Sequence, residues 1–469
     1  MPNIKPVDLD GSTLEGGGQL VRVALSLSAI TDIPVHIYNI RANRAPQGRS
    51  KPSGKARAHG GRSHDSNRGS SGKVEGGLKE SHLAALIYLA KQCNAHVEGA
   101  ELGSREVTFI PGFAAPRNKE SKAAKEDAVA DFETNTIELR NPGSVWLILQ
   151  AILPYFIFGK LEHPTGMQQP RPASTTGPNN GNEVASGTDA IELTLKGGTN
   201  VSKSMSGEYV KHVLLPTLHH IGLPAIECVV KERGWAGNAS RIGEVCVKIS
   251  RSVGANFQLP PFDIKDRGDI QKVTVHIVAG DEDSRTKLGQ GMKQAIAEHF
   301  GAELTVEVLE VEDSGDPRRL YVLVVARTKN GWRLGRDFLG SGRIPKNAAE
   351  REKSIEQACQ SVVRELKSEV KKGGCVDEFL QDQLIVFQAL ASGVSTVDGG
   401  QLDEKRRKPD EECGDEQGSL HARTVRWVCE KMLRKQGVAF EPGGRCHGIG
   451  WNYPADHGAI EQLDGLSVH

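Results

Sequence analysis

Three stretches of the chain hold the residue types best suited to chemistry. The first, LDGSTLEGGGQLVR at 9–22, places Glu15 before Gly16, Gly17 and Gly18, with Arg22 one turn further on. Backbone N–H groups at a glycine turn and a helix start can bind phosphate oxygens. Glu15 can hold a divalent cation there, and Arg22 can balance charge. The run fits neither the Walker pattern nor GxGxxG, so a plain strand-to-helix turn explains these glycines equally well on their own.

The second stretch, GGCVDEFLQDQLIVFQALASG at 373–393, spaces Val376, Phe379, Gln383 and Phe387 as a helix would. Most of it needs no more than a helix packed on a sheet. Asp382 and Gln383 stand apart, because a carboxylate and an amide can hydrogen-bond a nucleotide's base or ribose. The third stretch is SLHARTVRWVCEKML at 419–433, where Val425, Val428, Cys429 and Met432 form a buried helical stripe. His421 then falls just before the first turn of that helix, where the dipole disfavours added positive charge and favours neutral imidazole. A neutral imidazole is a nucleophile, and nearby N–H groups suit a phosphate. Taken alone, one histidine among fifteen is more often a surface or capping residue.

The elements that must position these residues follow a repeating order. A strand from residue 7, a helix from Gly18 to about Ile30 and the strand PVHIYNI come first. A helix presenting Leu83, Leu86, Ile87 and Ala90 and the strands HVEGAEL and EVTFIPG follow. FETNTIEL, SVWLILQAILPYFIFG, IELTLKGG, EYVKHVLLPTLHHIG, AIECVVKER and GEVCVKIS repeat that order. A third, less regular copy starts near Trp332. The fold expected is α+β: three tandem β-α-β-α-β-β repeats in one large body, with a small inserted β-α-β-β domain. The first two repeats occupy 1–257, the inserted domain 258–335 and the third repeat 336–469. Residues 45–75, 162–189 and 399–417 read as insertions too poor in apolar groups to order themselves. The first of these is basic enough to touch RNA, although a solvated linker accounts for it as well.

Composition narrows the classes. The chain has 469 residues, 38% of them hydrophobic, 53 glycines and zero formal net charge, so no global field points to nucleic acid. No apolar run approaches the roughly 20 residues that cross a bilayer, and no membrane partner is expected. MPNIKPVDLDG has no apolar signal core. Eight cysteines without a CxxC pair suggest reduced thiols, no zinc site and a cytosolic or nuclear protein. No oligomeric state is readable.

Taken in order, these stretches resemble the RNA 3′-terminal phosphate cyclase family. Besides DGSTLEGGGQLVR at 10–22, the resemblance rests on IRANR at 40–44, GLKESHL at 77–83 and EGAELGS at 98–104. It continues through GSVWLILQ at 143–150, GGTN at 197–200, VDEFLQDQLIVFQALASGVS at 376–395, LHART at 420–424 and GIGW at 448–451. The resemblance implies an enzyme that uses ATP and a divalent metal, Mg2+ or Mn2+, to turn an RNA 3′-phosphate into a 2′,3′-cyclic phosphate. It makes His421, in the third repeat, the nucleophile that carries AMP. It assigns Glu15 to the metal, Arg22, Arg44 and His82 to RNA and phosphate, and Gln150, Met205, Phe379, Asp382 and Gln383 to ATP. RNA with a 3′-phosphate end is the implied partner, and the nucleus the favoured compartment.

The sequence departs from the family pattern in places. Ser81 stands where Gln usually precedes the histidine, Met205 replaces a proline, and Phe379 takes the place of a tyrosine. KERGWAGNASRIGEV at 231–245 lacks the usual glycine-rich turn. These changes bear on affinity and RNA positioning more than on chemistry. A non-catalytic relative acting in ribosome assembly would lack His421. An enolpyruvyl transferase of similar architecture would lack both LHART and QDQL.

Overall fold

The structure, a computed structural model, describes residues 5–42, 76–112, 129–131, 135–160, 188–237, 240–252, 257–401 and 418–452. The expected insertions 45–75 and almost all of 162–189 and 399–417 lie outside these residues, as does Arg44.

Four sheets are described. In the first, β1 (Val7–Asp10), α1 (Gly18–Thr31), β2 (Val35–Tyr38), α2 (Glu80–Gln92), β3 (His96–Glu98) and β4 (Val107–Ile110) follow one another. The strands lie in the order β1-β2-β4-β3, with β1 and β2 parallel because α1 carries the chain back, and the other pairs antiparallel. The second contains β5 (Val129–Asp131), β6 (Thr136–Glu138), α3 (Val145–Phe158) and β7 (Thr188–Gly197). A helical segment follows, made of α4 (Gly207–Tyr209), a π-helical turn (Val210–Leu214) and α5 (Leu215–His220). β8 (Ile226–Glu232) and β9 (Gly243–Ser252) complete the order β5-β6-β7-β9-β8.

The chain then lays β10 (Asp263–Ile264) beside a strand far downstream and leaves for a third sheet. That sheet holds β11 (Ile270–Ala279), α6 (Glu282–Phe300), β12 (Thr305–Asp313), β13 (Leu320–Thr328), β14 (Arg333–Leu339) and α7 (Ala348–Lys371), with strand order β12-β11-β13-β14. The return carries α8 (Glu378–Leu390), β15 (Ser392–Val397), α9 (Leu420–Leu433), β16 (Ala439–Glu441) and β17 (Arg445–Ile449) into the order β10-β15-β17-β16. Mixed sheets with interspersed helices make this an α+β architecture.

Packing moves both edges of the inserted unit drawn from sequence, at 258 and 335. Residues 263–264 pair in parallel with Thr396 and Val397 and so belong to the last sheet. β14 pairs with β13, and α7 buries Ile355, Ala358, Cys359, Val362, Val363 and Leu366 in the same core as β11 and α6. The unit that packs together therefore runs from about β11 through α7. Its central strand β13 explains how it joins the rest. Val322, Val324 and Ala326 face α6 and α7, while Tyr321, Leu323 and Val325 enter the main core. A strand buried on both faces reads as the continuous apolar run LYVLVVA.

Helices form the inner layer that carries the functional residues. α1 contacts α2, α3 and α9; α3 contacts α8; and α8 contacts α9. Thirteen of the fourteen residues of α1 are buried, which is what a helix enclosed on all sides requires. Among the described residues, no helix is long and apolar enough to cross a membrane.

Candidate functional site

The glycine run closes a tight path from β1 into α1. Asp10 accepts from the backbone N–H of Ser12 at 2.9 Å, and Gly16 takes a positive φ of 58°. Gly17 occupies the cap of α1 without a side-chain cap bond, so the helix start is not closed by its own sequence. The two following glycines are there for space. A Cβ on Gly17 would stand 2.2 Å from the Glu15 carboxylate, and one on Gly18 would stand 2.1 Å from His82 Nε2 and 2.8 Å from an Arg22 nitrogen. Small residues thus let a carboxylate, an imidazole and a guanidinium crowd one helix start.

Arg22 sits within this crowd. Its Nε donates to Gln150 Oε1 at 2.6 Å, another nitrogen donates to Gln19, and a third lies 3.5 Å from His82 Nε2. His82 Nδ1 accepts the Lys79 backbone N–H at 3.3 Å, which favours the tautomer with its proton on Nε2. Both Arg22 and His82 then present donors to the same space at Gly18, the arrangement an anion needs. Burial depresses the Arg22 pKa to about 10, with Asp382 opposing the fall. The guanidinium therefore stays charged at neutral pH.

Asp382 faces it from α8. The cap of that helix is Asp377, which accepts from the N–H groups of Phe379 and Leu380 at 3.0 Å each. Burial pushes the Asp382 carboxyl up to about 7, against the lowering effects of the Gln383 amide that donates to it and of Arg22. Between α1, α3, α8 and the π-helical turn lies a cavity lined by Gln19, Gln150, Met205, Asp382, Gln383 and Phe387, among other residues. Its volume is about 30 Å³, room for roughly two waters.

His421 stands in the first turn of α9, whose cap, Ser419, accepts the Ala422 N–H at 3.2 Å. The imidazole is 51% exposed, and its Nδ1 lies 3.8 Å from Glu15 Oε2. One turn on, Thr424 Oγ1 accepts the Glu15 backbone N–H at 3.2 Å. His421 and Thr424, three residues apart, therefore share the face of α9 that meets the turn before α1.

The structure brings most of the expected residues together. Gln150, Met205, Asp382 and Gln383 line one cavity; Arg22 and His82 stand beside it; Glu15 meets His421. Phe379 is apart from the cavity lining. It is 45% exposed, edge-on to Tyr209 and under the Arg336 guanidinium at 4.6 Å. Sequence reading passed over Gln19, Thr424 and Arg41. Arg41 is a non-glycine residue with φ of 57° whose charge helps depress Arg22. Gln19 and Thr424 lie inside quoted stretches, GGGQLVR and LHART, and an amide beside a buried arginine was a signal available there.

Arg22 and His82 at one helix start, with Glu15 and His421 meeting at the turn before it, form a cluster of polar groups within an α+β body. The family model for RNA 3′-terminal phosphate cyclase matches residues 13–55 and 65–437, nearly the whole chain. The chain belongs to the RNA 3′-terminal phosphate cyclase family. A relative of that name from Pyrococcus furiosus is 29% identical over 390 residues, covering 82% of this chain and 86% of its own. One of the same name from Methanosarcina mazei is 27% identical over 438 residues, covering 91% and 95%. A Dictyostelium discoideum protein named probable RNA 3′-terminal phosphate cyclase is 25% identical over 399 residues, covering 84% and 72%.

Proposed function

We propose that this chain uses ATP and a divalent metal ion to convert an RNA 3′-phosphate end into a 2′,3′-cyclic phosphate, with His421 as the residue that carries AMP. The observation that carries this reading is the meeting of His421 with Glu15 beside the Arg22 and His82 donors, at the glycine turn before α1.

The site residues fit the groups the reading requires. The glycines let Arg22 and His82 crowd the start of α1, and those two side chains supply the donors a phosphate needs. One carboxylate with substrate phosphates is a common way to hold Mg2+, and Glu15 supplies it. A divalent ion there would neutralise charge on the polyphosphate. Asp382, Gln383 and Gln150 offer the mix of donors and acceptors that a base and ribose use.

The steps follow from what each group can do. The carboxylate of Glu15 favours the His421 proton on Nδ1 and leaves the Nε2 lone pair for attack. That nitrogen forms a bond to the α-phosphorus of ATP as the bond to the bridging oxygen breaks, and pyrophosphate leaves. A terminal oxygen of the RNA 3′-phosphate then displaces His421 and takes the AMP. The adjacent 2′-hydroxyl attacks the activated RNA phosphorus, closes the ring and releases AMP. Its proximity gives that last step a high effective molarity, so the protein's main contribution is to position phosphates and spread their charge.

The three sheets that hold four or five strands outside the β11–α7 unit read as copies of one β-α-β-α-β-β unit, with α1 and α8 the first helix of their copies and α9 the second. The relatives are archaeal as well as eukaryotic, and archaeal cells have no nucleus, so they lend a nuclear location no support.

The test is an RNA ending in 3′-phosphate, incubated with ATP and Mg2+ or Mn2+. Its end should become resistant to phosphatase, and a matching RNA with a 2′-deoxy terminal sugar should stay sensitive or stop at the adenylated end. Phosphatase-sensitive ends on both RNAs, at full ATP and metal, would contradict the proposal.

A further inference from the structure

A second constellation lies away from this site, where the β11–α7 unit meets the large body. His212 projects from the π-helical turn, His276 from β11 and Glu310 from β12. Their ligand atoms all lie within 4.8 Å of one another. We propose that His212, His276 and Glu310 bind a divalent transition-metal ion of the zinc type, separate from the ion expected at Glu15.

The donor set is two imidazoles and a carboxylate, a combination that suits Zn2+ and leaves a fourth position open. The backbone is bent twice to assemble it. The β11–β12 register shifts between Val275 and His276, and that irregularity sets His276 opposite Glu310; bulges of this kind re-aim side chains. His212 comes from a five-residue π-helical turn, an uncommon conformation that clusters at functional sites. Two independent departures from regular structure converge on one point.

Local bonding prepares the ligands. Lys211 holds Glu310 Oε1 at 2.6 Å, which leaves Oε2 to face both rings, 2.8 Å from His212 Nε2 and 3.2 Å from His276 Nδ1. Outer partners that fix a carboxylate in this way are a recurring part of metal sites. His276 is 1% exposed, and its buried Nε2 makes no hydrogen bond. The rings stack with centroids 3.7 Å apart, so they must open for their lone pairs to share an ion. Lys211 and the nearby Arg327 weaken the attraction for a cation.

Position gives the site a consequence. Val210 and Leu214, on the same π-helical turn as His212, line the cavity between α1, α3 and α8. An ion at His212 would tie that cavity wall to β11 and β12.

The full-length protein, stripped with a chelator and dialysed, should be titrated with Zn2+ and with Co2+ in the absence of ATP. Wild type should take up one equivalent more than Glu310→Gln or His276→Asn, and Co2+ should give wild type an intense visible band that both variants lack. Glu15→Gln should keep that band, which separates this ion from one held at Glu15. Glu310→Gln and His212→Gln, at partly solvent-facing positions, carry the comparison if His276→Asn does not fold. Equal stoichiometry and equal Co2+ spectra in wild type and variants would overturn the proposal and leave a hydrogen-bonded cluster.

Discussion

Arg22 and Asp382 show how single residues can be legible by type and yet hidden in their state. Both stood out in the sequence as polar groups in apolar helices. Their mutual electrostatics depend on contacts 360 positions apart, which no spacing rule reports. The Asp382 carboxyl, raised to about 7 by burial, binds its proton more tightly folded than unfolded. The native state therefore holds more protons than the unfolded chain between about pH 4 and pH 7, and this group's contribution to stability falls as pH rises through that window. Asp382→Asn should raise the thermal midpoint relative to wild type more at pH 8 than at pH 5. The difference should be on the order of a few kcal/mol. An equal shift at both pH values, measured by calorimetry, would place the buried charge elsewhere.

At the scale of elements, helix starts decide the geometry of the site. The periodic stripes of α1, α3, α8 and α9 were readable from sequence because each buries a face or its whole circumference. Ser419 and Asp377 cap α9 and α8 by accepting N–H groups of their first turns. What each cap also does was not readable. Asp377, with no exposed surface, accepts the Tyr209 hydroxyl at 2.6 Å and the Gly335 N–H at 2.8 Å, tying α8 to α4 and β14. Two predictions follow from the contrast. Ser419→Ala should cost about 1 kcal/mol, since it removes one cap bond. Asp377→Ala should cost about 3 kcal/mol, because it removes the cap and leaves the buried Tyr209 hydroxyl and Gly335 N–H without their acceptor. Denaturant melts compare the two directly, and equal losses would refute the wider role of Asp377.

At the scale of the molecule, the order of strands and helices through Thr328 was legible apart from the short β5 and β10, and beyond it the assignment to sheets was not. RLGRDFL and the long polar-faced α7 carry the right periods, but periodicity does not say which sheet an element joins. The tandem order invited assigning them to the third copy, and only long-range pairing with β13 shows where they belong. The same two-sided burial of β13 implies that the β11–α7 unit is not self-sufficient. Expressed alone, it should expose Tyr321, Leu323 and Val325 and bind a hydrophobic dye or self-associate. A monomeric, cooperatively folded fragment with no dye binding would contradict that. The glycine turn, the QDQL helix and the LHART helix, far apart in sequence, meet only because the inner helices pack as one layer.

The claim on which the account depends most is that His421 becomes bonded to AMP. ATP labelled at the α-phosphate should be incubated with the protein and a divalent metal, and the protein then examined for covalent label. The account predicts label that is released by acid, is absent when the label sits on the γ-phosphate, and is lost in His421→Ala. An unlabelled wild type, or His421→Ala labelled as strongly as wild type, would contradict it.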